Sequence, residues 1–366
     1  MDAAMRDDLT IVLTLKGRED FTPRWLDYHN RVGLPWPVLI GDGAPSDATA
    51  AMVARASALR TTYRRYDDRD LLAFYRKLHD LVAAVDTRYV MLCDNDDFVL
   101  PDGVARSIRF LDDNPDYVSC TGAVLGVYVT DASFADKDRV FGGERYGLRP
   151  IYDTPISTDT DAEARVTHLL HNYVPTWYAV HRRNALLKVF ADLVERRISD
   201  VGLMELFVAT KLAALGRQKA DASFASYLRQ LNSSLGAASS SGLLADVPSA
   251  SVGDDIEAML GSLAADIANG AQESELVRRL RIALDAYRHN SRAARATAGR
   301  GFSRFMGRYV QTLRAKVPPL RPAVSWLETR KVLGGLRRNG ASDASIHTLT
   351  ETLDLAWHCA SRHASP

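Results

Sequence analysis

Three aspartates, Asp94, Asp96 and Asp97, lie within four positions of the chain, directly after the apolar run YVMLC. Carboxylates this close repel one another, so the folded chain needs positive charge or hydrogen-bond donors among them. If they formed only a solvated turn after a strand, water would meet that need. The cluster is therefore the first candidate for a chemical site, with a metal ion as one candidate partner.

The spacing of the cluster excludes a calcium site of the EF-hand type and favours a smaller hard cation. An EF-hand loop that began at Asp94 would need Gly at its sixth position and Glu at its twelfth, where this chain has Val99 and Ala105. A strand followed by Asp-x-Asp also occurs in phosphatases with an aspartate nucleophile, but no partner motif of that class follows here. Mg²⁺ or Mn²⁺ held by one or two carboxylates and by substrate phosphates fits this pattern best.

The elements ahead of the cluster alternate between strands and helices. Apolar and β-branched runs predict strands at 9–15, 36–43, 59–66 and 88–93, with helical periodicity between them. This alternation predicts an α/β fold with a mostly parallel sheet between helices, and with ligands beyond the carboxyl ends of the strands. Asp42 ends the second strand as the cluster ends the fourth, so both are expected at that edge.

The chain after the cluster is predicted in less detail. Its expected elements are helices over 101–113, 164–173, 183–197 and 200–215, a strand or hairpin over 117–129, a loop over 131–160 and a strand over 174–182. The segment 232–255 is rich in Ser, Ala and Gly, which is typical of a linker or a mobile loop. We therefore predict a first domain over 1–231 and a helical C-terminal region over 256–366.

Composition places limits on the class of protein. The 366 residues are 46% apolar and 25% charged, as in soluble globular proteins, and the net charge of +1 argues against a wholly basic nucleic-acid binder. Three scattered cysteines, an acidic start without an apolar signal segment, and the lack of an apolar run of about 20 residues predict a cytoplasmic protein.

The ordered segments TIVLTLKGRED, VLIGDGAPSD and VMLCDNDDFVLPDG resemble the donor half of the GT-A glycosyltransferases, particularly the family 2-like bacterial enzymes. The resemblance covers 9–125 and extends more loosely to 230. It implies a GT-A, Rossmann-like fold, a DxD motif, an Mn²⁺ or Mg²⁺ cofactor and a nucleotide-sugar donor, with a UDP-sugar favoured. Inverting transfer of one sugar to an acceptor hydroxyl in bacterial surface polysaccharide biosynthesis is the implied activity.

The same resemblance assigns roles to residues of the first domain. Its donor nucleotide-binding residues would be Thr14, Arg18, Asp42, Lys77 and Asp94, and its metal ligands would be Asp96 and Asp97. The second strand ends in Gly-Asp-Gly-Ala-Pro rather than in paired aspartates, which departs from the commoner pattern at Asp42. The Gln-x-x-Arg-Trp signature of processive synthases is absent, so addition of a single sugar is expected.

An inverting transfer needs a carboxylate that takes the proton from the acceptor hydroxyl. In the enzymes that this chain resembles, the base lies at the start of a helix in the position of 196–216, where this chain offers Asp200 and Glu205. Asp200 ranks narrowly first because it lies at the helix start, although an N-cap is an equally good interpretation. Trp177 and Tyr178 are expected in the core or in the wall of an acceptor pocket.

Alternative functions and partners remain open at the level of sequence. A nucleotidyltransferase of similar topology usually opens with a glycine-rich loop, which TLKGRED lacks, and an inactive scaffold could bind partners through the helical tail. The segment 301–338 contains nine Lys/Arg and one Glu together with aromatic residues, so it could contact an anionic membrane surface or form a charged helical cover. The expected acceptor is a glycan or a lipid-linked molecule, and no nucleic acid is expected.

Overall fold

The computed structural model describes residues 7–44, 46–55, 58–129, 140, 146–151, 158–171, 173, 175–231, 243, 245, 249–268, 272–297 and 321–361. Most of the predicted loop over 131–160, most of the predicted linker before residue 249, and residues 301–320 of the basic segment lie outside these ranges. Within them, no helix is both long and apolar enough to cross a bilayer.

The strands form a single mixed sheet. They are β1 (Leu9–Leu15), β2 (Val38–Asp42), β3 (Thr61–Arg65), β4 (Tyr89–Cys93), β5 (Phe98–Val99), β6 (Tyr117–Val129), β7 (Tyr146–Pro150), β8 (Val180–Arg182) and β9 (Arg217–Gln230). Their order is β3-β2-β1-β4-β8-β6-β9-β5, with β7 beside β6. The first four strands pair in parallel, and β6 pairs in parallel with β9. The predicted α/β architecture with flanking helices is confirmed.

Eleven helices lie within the described ranges. They are α1 (Phe21–Arg31), α2 (Ala48–Arg55), α3 (Leu71–Ala83), α4 (Pro101–Asp113), α5 (Ala162–His171), α6 (Arg183–Arg196), α7 (Val201–Leu215), α8 (Ala250–Ile267), α9 (Glu273–Thr297), α10 (Arg321–Arg338) and α11 (Asp343–Ser361). The helices predicted over the first 215 residues are confirmed to within a few residues of their ends. Pro101 opens α4 because its fixed φ suits the first helical turn.

Alternation along β1 divides the core between the two faces of the sheet. Leu9, Ile11 and Leu13 pack with α1 and α4, whereas Val12 packs with α3, α6 and α7. Successive side chains of a strand point to opposite faces, so a strand covered on both sides must be apolar throughout. This explains why the sequence of β4 is apolar throughout and why that of β1 is interrupted only by two threonines.

The C-terminal helices are part of the same packed body. Buried residues of α8 and α9 join the core of α3, α6 and α7. Helix α10 packs on β7 and β9, and α11 packs on α1; Val332, Leu336 and Trp357 of these helices share a buried cluster with Leu125 and Leu148. Helix α8 begins inside the segment predicted as a linker, at Ala250, and the division into domains stays a prediction.

The longest strand, β9, is not predicted from the sequence. Its residues RQKADASFASYLRQ mix polar and small side chains without a clean alternation, and its pairing with β6 is interrupted by shifts in register. Short strands β5 and β7 are also unpredicted, and β7 lies within the predicted loop over 131–160. Long-range pairing with β6 thus determines β9 more than its local pattern does.

Helix α4 approaches β9 closely at Gly103. A Cβ atom at this position would lie 1.9 Å from the carbonyl oxygen of Ala225, a backbone atom that cannot turn aside. In α8, by contrast, a Cβ atom at Gly261 would meet no atom within 4 Å. The two helical glycines therefore offer a matched test of this packing.

We expect Gly103→Ala to lower the free energy of unfolding by about 1–3 kcal/mol, because the methyl group overpacks the contact between α4 and β9. Gly261→Ala should raise it by about 0.5–1 kcal/mol, because alanine is the better helix former. Urea unfolding followed by circular dichroism measures both values. Equal effects of the two substitutions would contradict the close approach of α4 to β9.

Candidate active site

The three aspartates converge at the carboxyl end of β4. Asp94, Asp96 and Asp97 follow Cys93 on the turn that leads to β5, and one carboxylate oxygen of each lies within 4.8 Å of the others. Asp96 and Asp97 are buried, and Asp94 is partly exposed. The structure thus brings together three oxygen ligands that the sequence places close in the chain.

Asp94 is held by hydroxyl groups from three strands or loops. The Tyr178 hydroxyl donates to Asp94 Oδ2 at 2.7 Å, and Thr14 Oγ1, near the end of β1, donates to Oδ1 at 3.5 Å. Tyr227 of β9 accepts from the Asp94 backbone N–H at 3.3 Å and stacks on the Tyr178 ring at 4.3 Å. The orientation of this carboxylate is therefore fixed by its neighbours.

Two arginines from opposite sides contact the other carboxylates. Arg18 Nη1 donates to Asp96 Oδ2 at 3.1 Å, and Arg229 Nε lies 3.4 Å from Asp97 Oδ2. The Gln230 backbone N–H donates to Asp97 Oδ1 at 2.9 Å. Each carboxylate thus has a polar or charged partner, and those of Asp97 come from β9.

A third arginine, Arg24, binds the backbone of the aspartate turn. Arg24 of α1 is completely buried and donates to the Asp96 carbonyl oxygen at 2.9 Å and to the Gln230 side-chain oxygen. Its guanidinium lies over the Phe98 ring at 4.8 Å. Burial lowers the Arg24 pKa to about 10, so the group stays charged at neutral pH. Arg24 therefore joins α1, the aspartate turn and β9.

The electrostatics of the cluster favour an added cation. Burial raises the pKa of Asp97 well above its usual range and raises that of Asp94, and the charge of Asp96 adds to both shifts, while Arg229 opposes them. Within the described residues, Asp97 Oδ2 accepts no hydrogen bond although it is buried. Mg²⁺ and Mn²⁺ prefer such oxygen ligands, so the residues present fit either ion.

Two residues of the cluster, Asp94 and Asp96, line a cavity of about 660 Å³, whereas Asp97 is buried and is not part of its lining. Charged and polar side chains form part of its lining, namely those of Thr14, Lys16, Arg18, Asp94, Asn95, Asp96, Glu205 and Arg229. Apolar and aromatic side chains form another part, among them those of Phe74, Tyr173, Trp177, Met204 and Val208. A charged group and a less polar group can therefore bind in the same cavity.

The two candidate bases occupy different places on α7. Glu205 lines the cavity, where burial raises its pKa, with Arg229 lowering it and Asp94 raising it further. Asp200 caps α7 and accepts from the Leu203 backbone N–H at 2.8 Å. It is not among the residues that line the cavity. Both roles stay predictions, but the geometry favours Glu205 over the order predicted from the sequence.

Asp42 and Lys77 lie beneath the surface, beside the end of β2. Asp42 is fully buried and accepts from the Ala44 backbone N–H at 2.8 Å and from the Tyr63 hydroxyl at 2.9 Å. Lys77 pairs with buried Asp68 and donates to the Leu15 carbonyl oxygen at 3.0 Å. Neither residue lines the large cavity. Their roles in nucleotide binding stay predictions.

Four residues that contact the three aspartates were not assigned to the site by the sequence. Tyr227, Arg229 and Gln230 arrive on the unpredicted strand β9, and Arg24 looks from its sequence like an ordinary charged residue of a surface helix. The acceptor-wall interpretation of Trp177 agrees with its place in the cavity. In the sequence, Arg24 lies between the aromatic residues Phe21 and Tyr28 at helical spacing, which places it on the apolar face of α1.

The chain was compared with known families, curated proteins and solved structures. No family model matches it, and no curated protein matches it. Similar solved structures include residues 1–349 of S. aureus TarS (TM-score 0.46, 11% identity, 96% of this chain and 89% of that one) and the same piece in complex with UDP-GlcNAc (0.45, 9%, 96% and 89%). Another is the mannosyltransferase PcManGT from Pyrobaculum calidifontis in complex with GDP-Man and Mn²⁺ (0.39, 15%, 91% and 86%). At these identities and TM-scores no residue role is transferred, and function is inferred from the side chains of the site.

Proposed function

We propose that the protein is a metal-dependent glycosyltransferase that moves one sugar from a nucleoside diphosphate sugar to an acceptor hydroxyl, with inversion. One observation carries this proposal: a single cavity is lined by two of the three clustered aspartates, by two arginines and by a partly buried glutamate of raised pKa. Carboxylates that bind a hard cation, together with arginines, suit a departing diphosphate. A carboxylate base suits an attacking hydroxyl.

The metal would be held by Asp96 and Asp97, and when bound it would neutralise charge that develops on the diphosphate. Asp94 is the candidate for the ribose, because its carboxylate is oriented by Tyr178 and Thr14 at the cavity wall. Arg18 lines the same cavity and can contact a phosphate oxygen. These residues bind and orient the donor.

Glu205 is the proposed base. It lines the same cavity as Asp94 and Asp96. Burial raises its pKa towards the working pH, and a carboxylate of higher pKa is the stronger base as long as it remains ionised. Trp177 and Met204 line the adjoining wall, where the face of a sugar ring or an apolar part of the acceptor can pack. Asp200 remains the alternative base.

The proposed donor, pathway and cellular location rest on the sequence and on the exposed residues of α10. A UDP-sugar donor, a role in bacterial surface glycan synthesis and a cytoplasmic location form part of the proposal. On α10, Trp326 and Leu327 are 55% and 59% exposed, close to Arg330 and Lys331. Aromatic and cationic side chains on one helix favour peripheral contact with an anionic membrane, which suits a lipid-linked acceptor.

Asp96→Asn tests the metal site, because it removes one charged ligand and keeps the size of the side chain. Loss of a residue that only hydrogen-bonds a metal ligand lowers metal affinity by roughly 10–100-fold. Because Asp96 is itself a proposed ligand, we expect Mn²⁺ affinity to fall by more than that. Calorimetry with Mn²⁺ measures this, and exposed Asp113→Asn is the control. Unchanged Mn²⁺ affinity and undiminished transfer in Asp96→Asn would exclude this site.

Glu205→Gln and Asp200→Ala separate the two candidate bases. Loss of a general base should lower kcat by about 10²–10⁴-fold in Glu205→Gln, with donor affinity little changed. Asp200→Ala removes a helix cap, so it should cost about 1 kcal/mol of stability and leave most of the transfer rate. Transfer rates with a panel of nucleotide sugars and thermal unfolding give both readouts. The reverse pattern would assign the base to Asp200.

The pH dependence of transfer tests the environment of Glu205. The base acts when ionised, so the rate is lost as pH falls through its pKa, and the raised pKa moves this loss above the ordinary glutamate value of about 4.3. Because Arg229 favours the ionised form, Arg229→Gln should move the loss to still higher pH. The profile of kcat/KM measures the midpoint. A midpoint that does not move in Arg229→Gln would contradict the assignment.

A further inference from the structure

Arg18 lies on an unusual turn between β1 and α1. Its φ is +56° and that of Gly17 is +71°, so both residues are left-handed. This conformation is unfavourable for a residue with a side chain, and within the described ranges it is shared only by Arg197 among non-glycine residues. Such strain persists only where the surroundings hold it in place.

One hydrogen bond joins the turn to the aspartate segment, and two contacts with Phe21 hold the turn itself. Asn95 Nδ2 donates to the Arg18 carbonyl oxygen at 3.0 Å, the Phe21 backbone N–H donates to the same oxygen at 3.1 Å, and the guanidinium lies over the Phe21 ring at 4.4 Å. The Arg18 side chain is 17% exposed and ends on Asp96 Oδ2, at the wall of the cavity. The turn therefore places a positive charge on one proposed metal ligand, at a point that a ligand in the cavity can reach.

We propose that Arg18 is an exchangeable counter-charge, which competes with the metal ion for Asp96 and binds the diphosphate of the donor when the ion is present. This inference rests on the proposed function, since it assumes that a cation and a diphosphate share the cavity. Its consequence is that metal and donor each strengthen the binding of the other.

The reason is electrostatic. A guanidinium on Asp96 repels a divalent cation that approaches the same carboxylate, so the ion binds this site more weakly than the three carboxylates alone would allow. A diphosphate brings negative charge and paired oxygens, which match the planar donors of arginine. It can bind Arg18 and the ion together and so removes their repulsion. Binding linkage requires that this effect be reciprocal.

A purely structural role for Arg18 predicts the opposite sign for one measurement. If the guanidinium only fastened the turn to Asp96, its removal would loosen the cluster and weaken Mn²⁺ binding. If Arg18 competes with the ion, its removal strengthens Mn²⁺ binding in the absence of nucleotide. The two roles are therefore distinguished by metal binding alone.

Calorimetry measures the dissociation constants of Mn²⁺ alone and of UDP or GDP with and without Mn²⁺, in the full chain. In Arg18→Gln we expect Mn²⁺ alone to bind about five- to tenfold more tightly, and nucleotide in the presence of Mn²⁺ to bind about tenfold more weakly. Arg18→Lys keeps the charge and should leave Mn²⁺ affinity near that of the wild type. Arg31→Ala, which removes a cation paired with Asp27 on α1, is the control and should change neither value.

The outcomes separate this inference from the proposed function. If the wild type binds neither UDP nor GDP with Mn²⁺, both fail. If nucleotide and Mn²⁺ strengthen each other's binding to the same degree in the wild type and in Arg18→Gln, the function stands and the coupling through Arg18 is overturned. If Arg18→Gln binds Mn²⁺ more weakly while it unfolds at the same temperature as the wild type, Arg18 has a structural role instead.

Discussion

Repulsion among three clustered carboxylates is the constraint on which the rest of the site depends. The oxygens of Asp94, Asp96 and Asp97 lie within 4.8 Å of one another, and burial raises the pKa values of Asp94 and Asp97. Ionised carboxylates in such surroundings need positive charge or hydrogen bonds close by. The chain supplies these from three separate parts, with Arg18 before α1, Arg24 within α1 and Arg229 at the end of β9. Holding these parts together is the task of the sheet.

The topology of the sheet places these groups at one edge. Strands β1 and β4 are parallel neighbours, so Thr14 and the turn that follows β1 end beside the aspartates. Strand β9 runs parallel to β6 and pairs with β5 directly after the cluster. This pairing brings Tyr227 and Gln230 against the turn from the other side. The close approach of α4 to β9 at Gly103 fixes the position of that strand.

Much of this arrangement follows from sequence, and the rest depends on contacts far apart in the chain. Apolar runs that end in aspartate predict β1 to β4 and the cluster, because buried parallel strands have a strong local signal. The polar pattern of β9 has no such signal, since partner β6 and not its own periodicity makes it a strand. The rank of Asp200 over Glu205 reflected position along the helix. Only the direction in which each side chain points places Glu205 on the cavity wall.

The positive groups around the cluster fall into two kinds. Arg24 is wholly buried and bonded to the Asp96 carbonyl oxygen, so it shapes the turn but cannot reach a ligand in the cavity. Arg18 and Arg229 contact carboxylate oxygens from the cavity wall, where a ligand can reach them. Fixed charge thus maintains the geometry, while exchangeable charge can pass from carboxylate to phosphate. Because these tasks belong to different arginines, the charge balance of the site can change without loss of its shape.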